Sequence, residues 1–225
     1  MDRNEVVDYY DSIAESYDES RFHNSYGRFI DTEERWALGE LVNLDGNTLR
    51  LDLACGTGRL THYATHGLDA SSEMMRRARE RCPGVEFRLA SACDTGYPDG
   101  MFDVVYTFHL LMHLDHAAIR QIVDEVYRIL KPGGSFIMDI PSKKRRELLH
   151  HQQASWHGGT ELSTADIQAL CSDRFHIERV CGIMMLPVHK LPRMLRRPLQ
   201  RIDYAIANSW IREYSSYLLF KLVKQ

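Results

Sequence analysis

Apolar residues near the start of the chain recur at the spacing of amphipathic helices, in which positions three or four apart share one face. Residues 1–20 and 25–43 both show this pattern. The apolar positions of the first stretch are Val6, Val7, Tyr10, Ile13, Ala14 and Tyr17. The expected buried face of the second is Phe29, Ile30, Trp36, Leu41 and Val42. Asn43–Asn47, which contains Asp45-Gly46, is typical of a turn and ends this helical part.

From residue 49 onward, short apolar runs alternate with helical patterns. The helical patterns cover Ser71–Cys82 and residues 116–130. The apolar runs predict five strands: Leu49–Leu53, Gly67–Asp69, Val85–Leu89, Phe102–Thr107 and Phe136–Ile140. Strands joined through helical crossovers form a parallel sheet with helices on both faces. We therefore expect a doubly wound, mostly parallel α/β fold, in which ligands bind beyond the carboxyl ends of the strands.

The C-terminal part carries a second kind of pattern, in which basic and apolar residues are mixed. Residues 187–202 contain no acid, and an apolar stripe predicts a helix that packs on the sheet or lies over the active site. The stripe consists of Leu199, Ile202, Ala205 and Ile206. Residues 214–223 are typical of a closing antiparallel strand. The basic clusters at 143–146 and 190–201 fit either a solvated helix face or attraction of an anionic acceptor.

Composition places the chain among ordinary globular proteins. It has 225 residues, 44% of them hydrophobic, and a formal net charge of −3, so no global excess of basic charge predicts nucleic-acid binding. Its five cysteines are scattered without a Cys-x-x-Cys pair, which excludes a disulfide framework and a zinc ribbon. No apolar run approaches the roughly 20 residues that span a bilayer. We expect a single domain in a cytoplasmic protein.

The strongest chemical signal directly follows the first predicted strand. Leu51–Gly58 ends in Gly56-Thr57-Gly58, and glycines at a helix N-terminus let the backbone approach an anionic or polar ligand. A strand-to-helix turn that needs glycine only for its geometry is the alternative. Asp69, at the end of the second strand, favours the ligand site because a carboxylate there can accept both hydroxyls of a ribose. Thr107, Phe108 and His109 reach the same sheet edge from the fourth strand.

With these motifs, residues 10–141 resemble the class I S-adenosylmethionine-dependent methyltransferases. Asp52-x-Ala54-x-Gly56-x-Gly58 is similar to the first motif of the family, with alanine in place of the usual first glycine. The resemblance implies S-adenosylmethionine as cofactor, ribose contact through Asp69, adenine contact through Ser91-Ala92 and an N-terminal helix that closes over the cofactor. The implied cofactor-binding set is Tyr17, Asp52, Ala54, Cys55, Gly56, Gly58, Asp69, Ala70, Met74, Ser91, Ala92 and Phe108.

One connection departs from the family pattern. Only ten residues, Arg59–Leu68, separate Gly58 from Asp69, so we expect a short first crossover helix. The resemblance divides the single domain 1–225 into a helical lid at 1–43, a cofactor-binding core at 49–141, and a C-terminal part at 142–225 with substrate-facing helices and closing strands.

The sequence says less about the acceptor. Because the cofactor itself activates the methyl group, the reaction requires few specific residues from the protein. His109 and His113 are the candidate general bases, although each could instead be a packing or capping residue. His150, His151 and His157, with Trp156, mark a possible substrate pocket; their spacing is not diagnostic of a metal site, and no metal is expected. We predict methyl transfer to an O, N or C atom of a small or medium-sized metabolite, with no nucleic acid and no membrane span. The basic clusters leave an anionic acceptor open as one alternative.

Two other functions remain open from the sequence. A non-catalytic S-adenosylmethionine-binding or scaffold protein would keep the fold without the reaction. A nicotinamide-dependent oxidoreductase would need glycine at position 61 to complete its fingerprint, and the chain has Thr61 there.

Overall fold

The computed structural model describes residues 3–42, 44–150 and 159–225. Seven strands form one sheet in the order β3-β2-β1-β4-β5-β7-β6. Strands β1 to β5 pair in parallel, and β7 runs antiparallel between β5 and β6. The strands are β1 Arg50–Leu53, β2 His66–Asp69, β3 Glu86–Leu89, β4 Phe102–Thr107, β5 Leu130–Pro141, β6 Phe175–Ile183 and β7 Tyr217–Lys224. This confirms the predicted fold class.

Several helices begin at a side chain that accepts a hydrogen bond from a free backbone N–H group. The Ser71 hydroxyl accepts from the backbone N–H of Met74, and Asp115 accepts from Ala118. Ser163 and Asp166 form a reciprocal capping box. The helices are α1 Arg3–Ile13, α2 Tyr17–Phe22, α3 Ser25–Leu41, α4 Ser72–Arg81, α5 His116–Ile129, α6 Lys143–Leu148, α7 Thr164–Cys171 and α8 Arg193–Ala207.

The connection between β1 and β2 contains no α-helix. It holds one turn of 3₁₀ helix, Thr61–Tyr63, so the expectation of a short crossover helix was wrong. Leu60 and Ala64 from this connection are buried together with Phe29 and Leu38 of α3. Because this connection forms no helix that covers the sheet, α3 supplies the missing cover.

Helix α3 therefore packs in the core, although the predicted lid of residues 1–43 includes it. Its apolar face is buried against β4 to β7 through Tyr106, Ile137, Ile183 and Leu219, among others. Of the three N-terminal helices, α1 and α2 lie over the carboxyl ends of the parallel strands. Trp36, expected in the buried face, instead lies half-buried with its ring 5.5 Å from that of Tyr204 on α8.

Helix α8 packs on α3 through Gln200 and the ring of Tyr204, and not through the predicted apolar stripe. Gln200 Nε2 donates to the backbone oxygen of Phe29 at 2.7 Å. Asp203 is buried and accepts from the backbone N–H groups of Met185 and Leu186. Ile202, expected to be buried, is 52% exposed. Because these buried hydrogen bonds fix the rotation of the helix, the apolar residues face outward. Within the described part of the chain, no helix is long and apolar enough to cross a bilayer.

Candidate active site

A cleft of about 920 Å³ lies at the carboxyl ends of the parallel strands, the expected place for a ligand. Its walls come from the segments that follow β1 to β4 and from α1 and α2. Every predicted cofactor-binding residue and candidate base lines the cleft except Gly58, whereas His150, a candidate for the substrate pocket, is exposed and does not line it. The lining residues from that prediction are Tyr17, Asp52, Ala54, Cys55, Gly56, Asp69, Ala70, Met74, Ser91, Ala92, Phe108, His109 and His113. The candidates His151, Trp156 and His157 lie outside the described residues.

The loop after β1 uses its small residues in three different ways. A side chain at Gly56, which has φ +55°, would extend into open space. A Cβ at Gly58, which has φ +79°, would lie 3.0 Å from Cα of Ala78, so this glycine lets α4 pack against the loop. Ala54 also has a left-handed backbone, with φ 60°. The loop thus keeps Gly56 open toward the cleft and places Gly58 behind it.

Replacing Ala54 with glycine is expected to stabilise the protein by about 0.5–1 kcal/mol, because relief of the left-handed strain exceeds the extra chain entropy of glycine. A rise of a few degrees in the melting temperature would show it. Ala64→Gly serves as the control. Ala64 has φ −105°, which is unstrained for alanine, so glycine there should lower the melting temperature. A lower melting temperature for Ala54→Gly would contradict the strain.

Two carboxylates lie at the carboxyl ends of the neighbouring strands β1 and β2, at the base of the cleft. Asp69 Oδ2 accepts from the N–H of Gly56 at 2.8 Å, and Oδ1 accepts from the N–H of Ser71 at 2.9 Å. Each oxygen retains a lone pair for a ligand hydroxyl. Asp52 is buried, and its Oδ2 accepts from the Thr61 hydroxyl at 2.6 Å. Burial raises the pKa of Asp52 to about 7.

Helices α1 and α2 are held over the cleft by their acidic residues. Asp11 Oδ1 accepts from the Ser71 hydroxyl and from the N–H of Glu73, at the N-terminus of α4. Asp18 Oδ1 accepts from the Thr57 hydroxyl at 2.7 Å, and its Oδ2 pairs with Arg81. The seven acids in the first 20 residues thus include the contacts that attach the lid to α4 and to the glycine loop.

Aromatic rings of the lid meet the segment after β4. The ring of Tyr10 lies 6.1 Å from that of Tyr17 and 6.3 Å from that of His113, both edge to face. Tyr17 also meets Phe22 at 6.1 Å. These rings line one end of the cleft with apolar surface.

His109 lies between two buried carboxylates. Its Nε2 is 2.6 Å from Glu34 Oε1, and its Nδ1 is 3.5 Å from Asp139 Oδ2. Its own backbone N–H donates to Asp139 Oδ1 at 2.7 Å and holds a left-handed turn with φ 57°. Burial favours the neutral ring, but the two carboxylates outweigh it and raise the pKa of His109. Both ring nitrogens of His109 are therefore engaged by carboxylates, an arrangement that suits an ion pair better than a general base.

The same three side chains offer atoms within 4.8 Å of one another, a spacing that could hold a metal ion. Arg59 already supplies positive charge there, with Nη2 2.6 Å from Glu34 Oε2. We therefore interpret the group as an ion-pair network, and the expected lack of a metal stays a prediction.

The sequence interpretation did not identify Glu34, Arg59 or Asp139, although two of them left a signal. Glu34 is an acid on the apolar face of a helix, and Asp139 is an isolated acid in a strand of apolar residues. Charged residues are almost never buried unless they are paired. Such positions therefore predict a buried ion pair, but they do not identify the partner.

Comparison with known proteins agrees with this geometry. A family model described as a methyltransferase domain matches residues 51–138. An uncharacterized methyltransferase of Synechocystis is 36% identical over 94 residues, covering 39% of this chain and 44% of that protein. A demethylmenaquinone methyltransferase of Symbiobacterium thermophilum is 31% identical over 150 residues, covering 59% and 57%. The chain thus spans about half the length of these curated relatives.

Among solved structures, a methyltransferase of Thermotoga maritima shares the fold. It is described as dependent on S-adenosylmethionine and as a possible histamine N-methyltransferase. Its TM-score is 0.73 at 19% identity, over 96% of this chain and 98% of that one. The sheet order and the loop after β1 agree with these matches: residues 51–138 belong to a methyltransferase domain, and the chain has the fold of an S-adenosylmethionine-dependent methyltransferase.

Proposed function

We propose that this chain transfers the methyl group of S-adenosylmethionine to a small or medium-sized acceptor. The observation that carries the proposal is the position of Asp69 at the carboxyl end of β2, where backbone N–H groups orient its carboxylate beside the open side of Gly56. A ribose needs a paired hydrogen-bond acceptor and a backbone without side chains, and this corner offers both.

The residues around Asp69 fit the rest of the cofactor. Ser91 and Ala92, after β3, would flank the adenine, and Met74 would pack against it from the first turn of α4. Asp52 offers negative charge to the cationic methionine end, near Phe108. Bound there, S-adenosylmethionine supplies a methyl group already activated by its positive sulfur.

The remaining task of the chain is to align an acceptor and to exclude water. The aromatic rings of Tyr10, Tyr17 and Phe22 close one side of the cleft and provide an apolar wall. Of the two candidate bases, His113 is the better one, because both ring nitrogens of His109 face carboxylates. For an acceptor that must lose a proton, His113 would receive it.

The test is binding followed by turnover. Titration calorimetry should show micromolar binding of S-adenosylmethionine, about −8 kcal/mol, and much weaker binding of NAD. Incubation with labelled cofactor and a panel of amine, phenol and carboxylate acceptors should then release labelled product. Binding without turnover on any acceptor would favour the non-catalytic alternative, and tighter binding of NAD would overturn the cofactor assignment.

Cofactor affinity is expected to depend on pH through Asp52. With a pKa of about 7 before binding, Asp52 is neutral at lower pH and cannot attract the cationic cofactor. Between pH 8 and pH 6 the dissociation constant should therefore rise about tenfold. Asp52→Asn should remove this slope. An unchanged slope in Asp52→Asn would assign the titration to another group, such as Asp139, whose pKa burial raises to about 6.

A cytoplasmic location and a small-molecule acceptor remain part of the proposal. The five cysteines are unpaired, as is usual in a reducing compartment.

A further inference from the structure

The outward side of α8 carries an apolar surface that the fold does not use. Met194 is 80% exposed, Leu195 44% and Ile202 52%. At 100° per residue these three side chains point to the same side of the helix, with Pro198 and Ala205 between them. The opposite side holds Gln200 and Asp203, which form the buried hydrogen bonds to α3 and to residues 185–186.

Basic residues flank this apolar side. Glu40 of α3 is exposed near Arg201, but its carboxylate pairs with Arg179 at 2.6 Å and accepts from the Tyr204 hydroxyl at 3.2 Å. Lys190, Arg193, Arg197 and Arg201 form no ion pair with any described residue. Residues 186–202 contain no acid, and Asp203 is turned inward. The chain as a whole has a net charge of −3, so these unpaired cations form a local region of positive charge on its surface.

The other basic cluster, residues 143–146, shows the contrast. Lys143 pairs with Asp166 at 3.4 Å, Lys144 with Glu213 at 3.4 Å, and Arg146 with Glu161 at 2.9 Å. Arg145 donates to the backbone oxygens of Met185 and Tyr214. Those charges stabilise the fold, whereas the cations of α8 are available to a partner.

We propose that the outward side of α8 docks on the surface of an anionic lipid bilayer. A helix with an apolar side and a basic flank lies in the interface, with its apolar side chains among the acyl chains and its cations among the headgroups. At 1.5 Å per residue the helix would lie along about 22 Å of the surface. Trp210, three residues beyond it, is 89% exposed, and tryptophan is enriched at bilayer interfaces.

Charge complementarity selects lipid over a second copy of the chain. A twofold dimer through this surface would place Arg193, Arg197 and Arg201 of one copy against the same residues of the other, which is unfavourable. An anionic membrane neutralises all of them at once. The docking surface is also tied to the cleft wall, because Arg196 Nη1 donates to the Ser25 hydroxyl at 2.8 Å, three residues after Phe22.

The test is sedimentation of the full chain with vesicles of phosphatidylcholine, with and without phosphatidylglycerol as half of the lipid. The chain should bind the anionic vesicles and not the neutral ones, and added salt should weaken binding. Ile202→Asp should reduce binding by about tenfold or more, and Met194→Asp should do the same. Each variant puts a charge where the proposal places an apolar side chain among the acyl chains. Arg197→Glu should weaken binding to anionic vesicles.

Leu148→Asp is the matched control, because Leu148 is an exposed leucine (63%) beside the paired basic cluster. It should bind as the native chain does. No binding of the native chain to anionic vesicles, or equal binding by Ile202→Asp, would overturn the proposal. A dimer in light scattering that Ile202→Asp dissociates would instead assign the surface to self-association. Cofactor affinity, measured on the same samples, should be unchanged in each variant, so the outcome is separate from that for the proposed methyl transfer.

Discussion

Asp69→Ala is expected to weaken the binding of S-adenosylmethionine by about ten- to a hundredfold. The carboxylate would lose charge-assisted hydrogen bonds to the ribose, each contributing about 1.5–3 kcal/mol, and about 1.4 kcal/mol corresponds to a tenfold change. The variant also loses the acceptor for the N–H groups of Gly56 and Ser71, which orient the loop. Calorimetry gives the affinity, and the melting temperature measured in parallel separates binding from stability.

Two further variants serve as comparisons for Asp69→Ala. Asp69→Asn keeps one acceptor oxygen without the charge and should lose less affinity. Asp45→Ala changes an exposed acid in the turn before β1 and should bind as the native chain does. If Asp69→Ala binds as tightly as the native chain, the ribose does not contact this carboxylate.

Glu34→Ala is expected to lower the free energy of unfolding by about 3–5 kcal/mol, because removal of one partner leaves buried charges uncompensated. Glu34 is buried between Arg59 and His109, at 2.6 Å from each. Urea denaturation measures the change. Glu40→Ala, on the same helix, removes an exposed partner of Arg179 and should cost less than about 1 kcal/mol.

The same carboxylate predicts an acid dependence. Burial alone would raise the pKa of Glu34, but Arg59 and His109 lower it from 4.5 to about 2. Because the folded pKa is depressed, the stabilisation is complete above pH 4.5 and is lost as the pH falls toward 2. In Glu34→Gln this part of the acid dependence should disappear. A full effect of pH in the glutamine variant would contradict the assignment.

Local signals in the sequence predicted most of the fold. The bounds of α4 follow from Ser71 as N-cap and from Pro83-Gly84 after its end, and those of β4 from its apolar run. The cleft residues after β1 and β2 were also predictable, since turn glycines and an acid at a strand end are short-range features. Each of these depends on neighbours within a few positions along the chain.

Features that depend on distant contacts were not predictable. Glu34 and His109 are 75 positions apart, and nothing local to either residue indicates the other. The predicted orientation of α8 was wrong for the same reason. Hydrophobic periodicity places Ile202 inside. Gln200 donates to a distant backbone oxygen and Asp203 accepts from distant backbone N–H groups, and these bonds turn Ile202 outward. Hydrophobic periodicity predicts which side of a helix is buried from its apolar residues alone. It does not take buried hydrogen bonds of polar side chains into account.

The role of α3 as cover for the sheet sets the limits of the autonomous folding unit. The segment that matches the family, residues 51–138, lacks this helix, yet the apolar residues of β4 and β5 on that face, such as Tyr106 and Ile137, are buried by it. A fragment that begins at residue 45 would expose this face to water and to other copies, and would aggregate. Any transplant of the domain into another protein must therefore carry residues 25–41 with it.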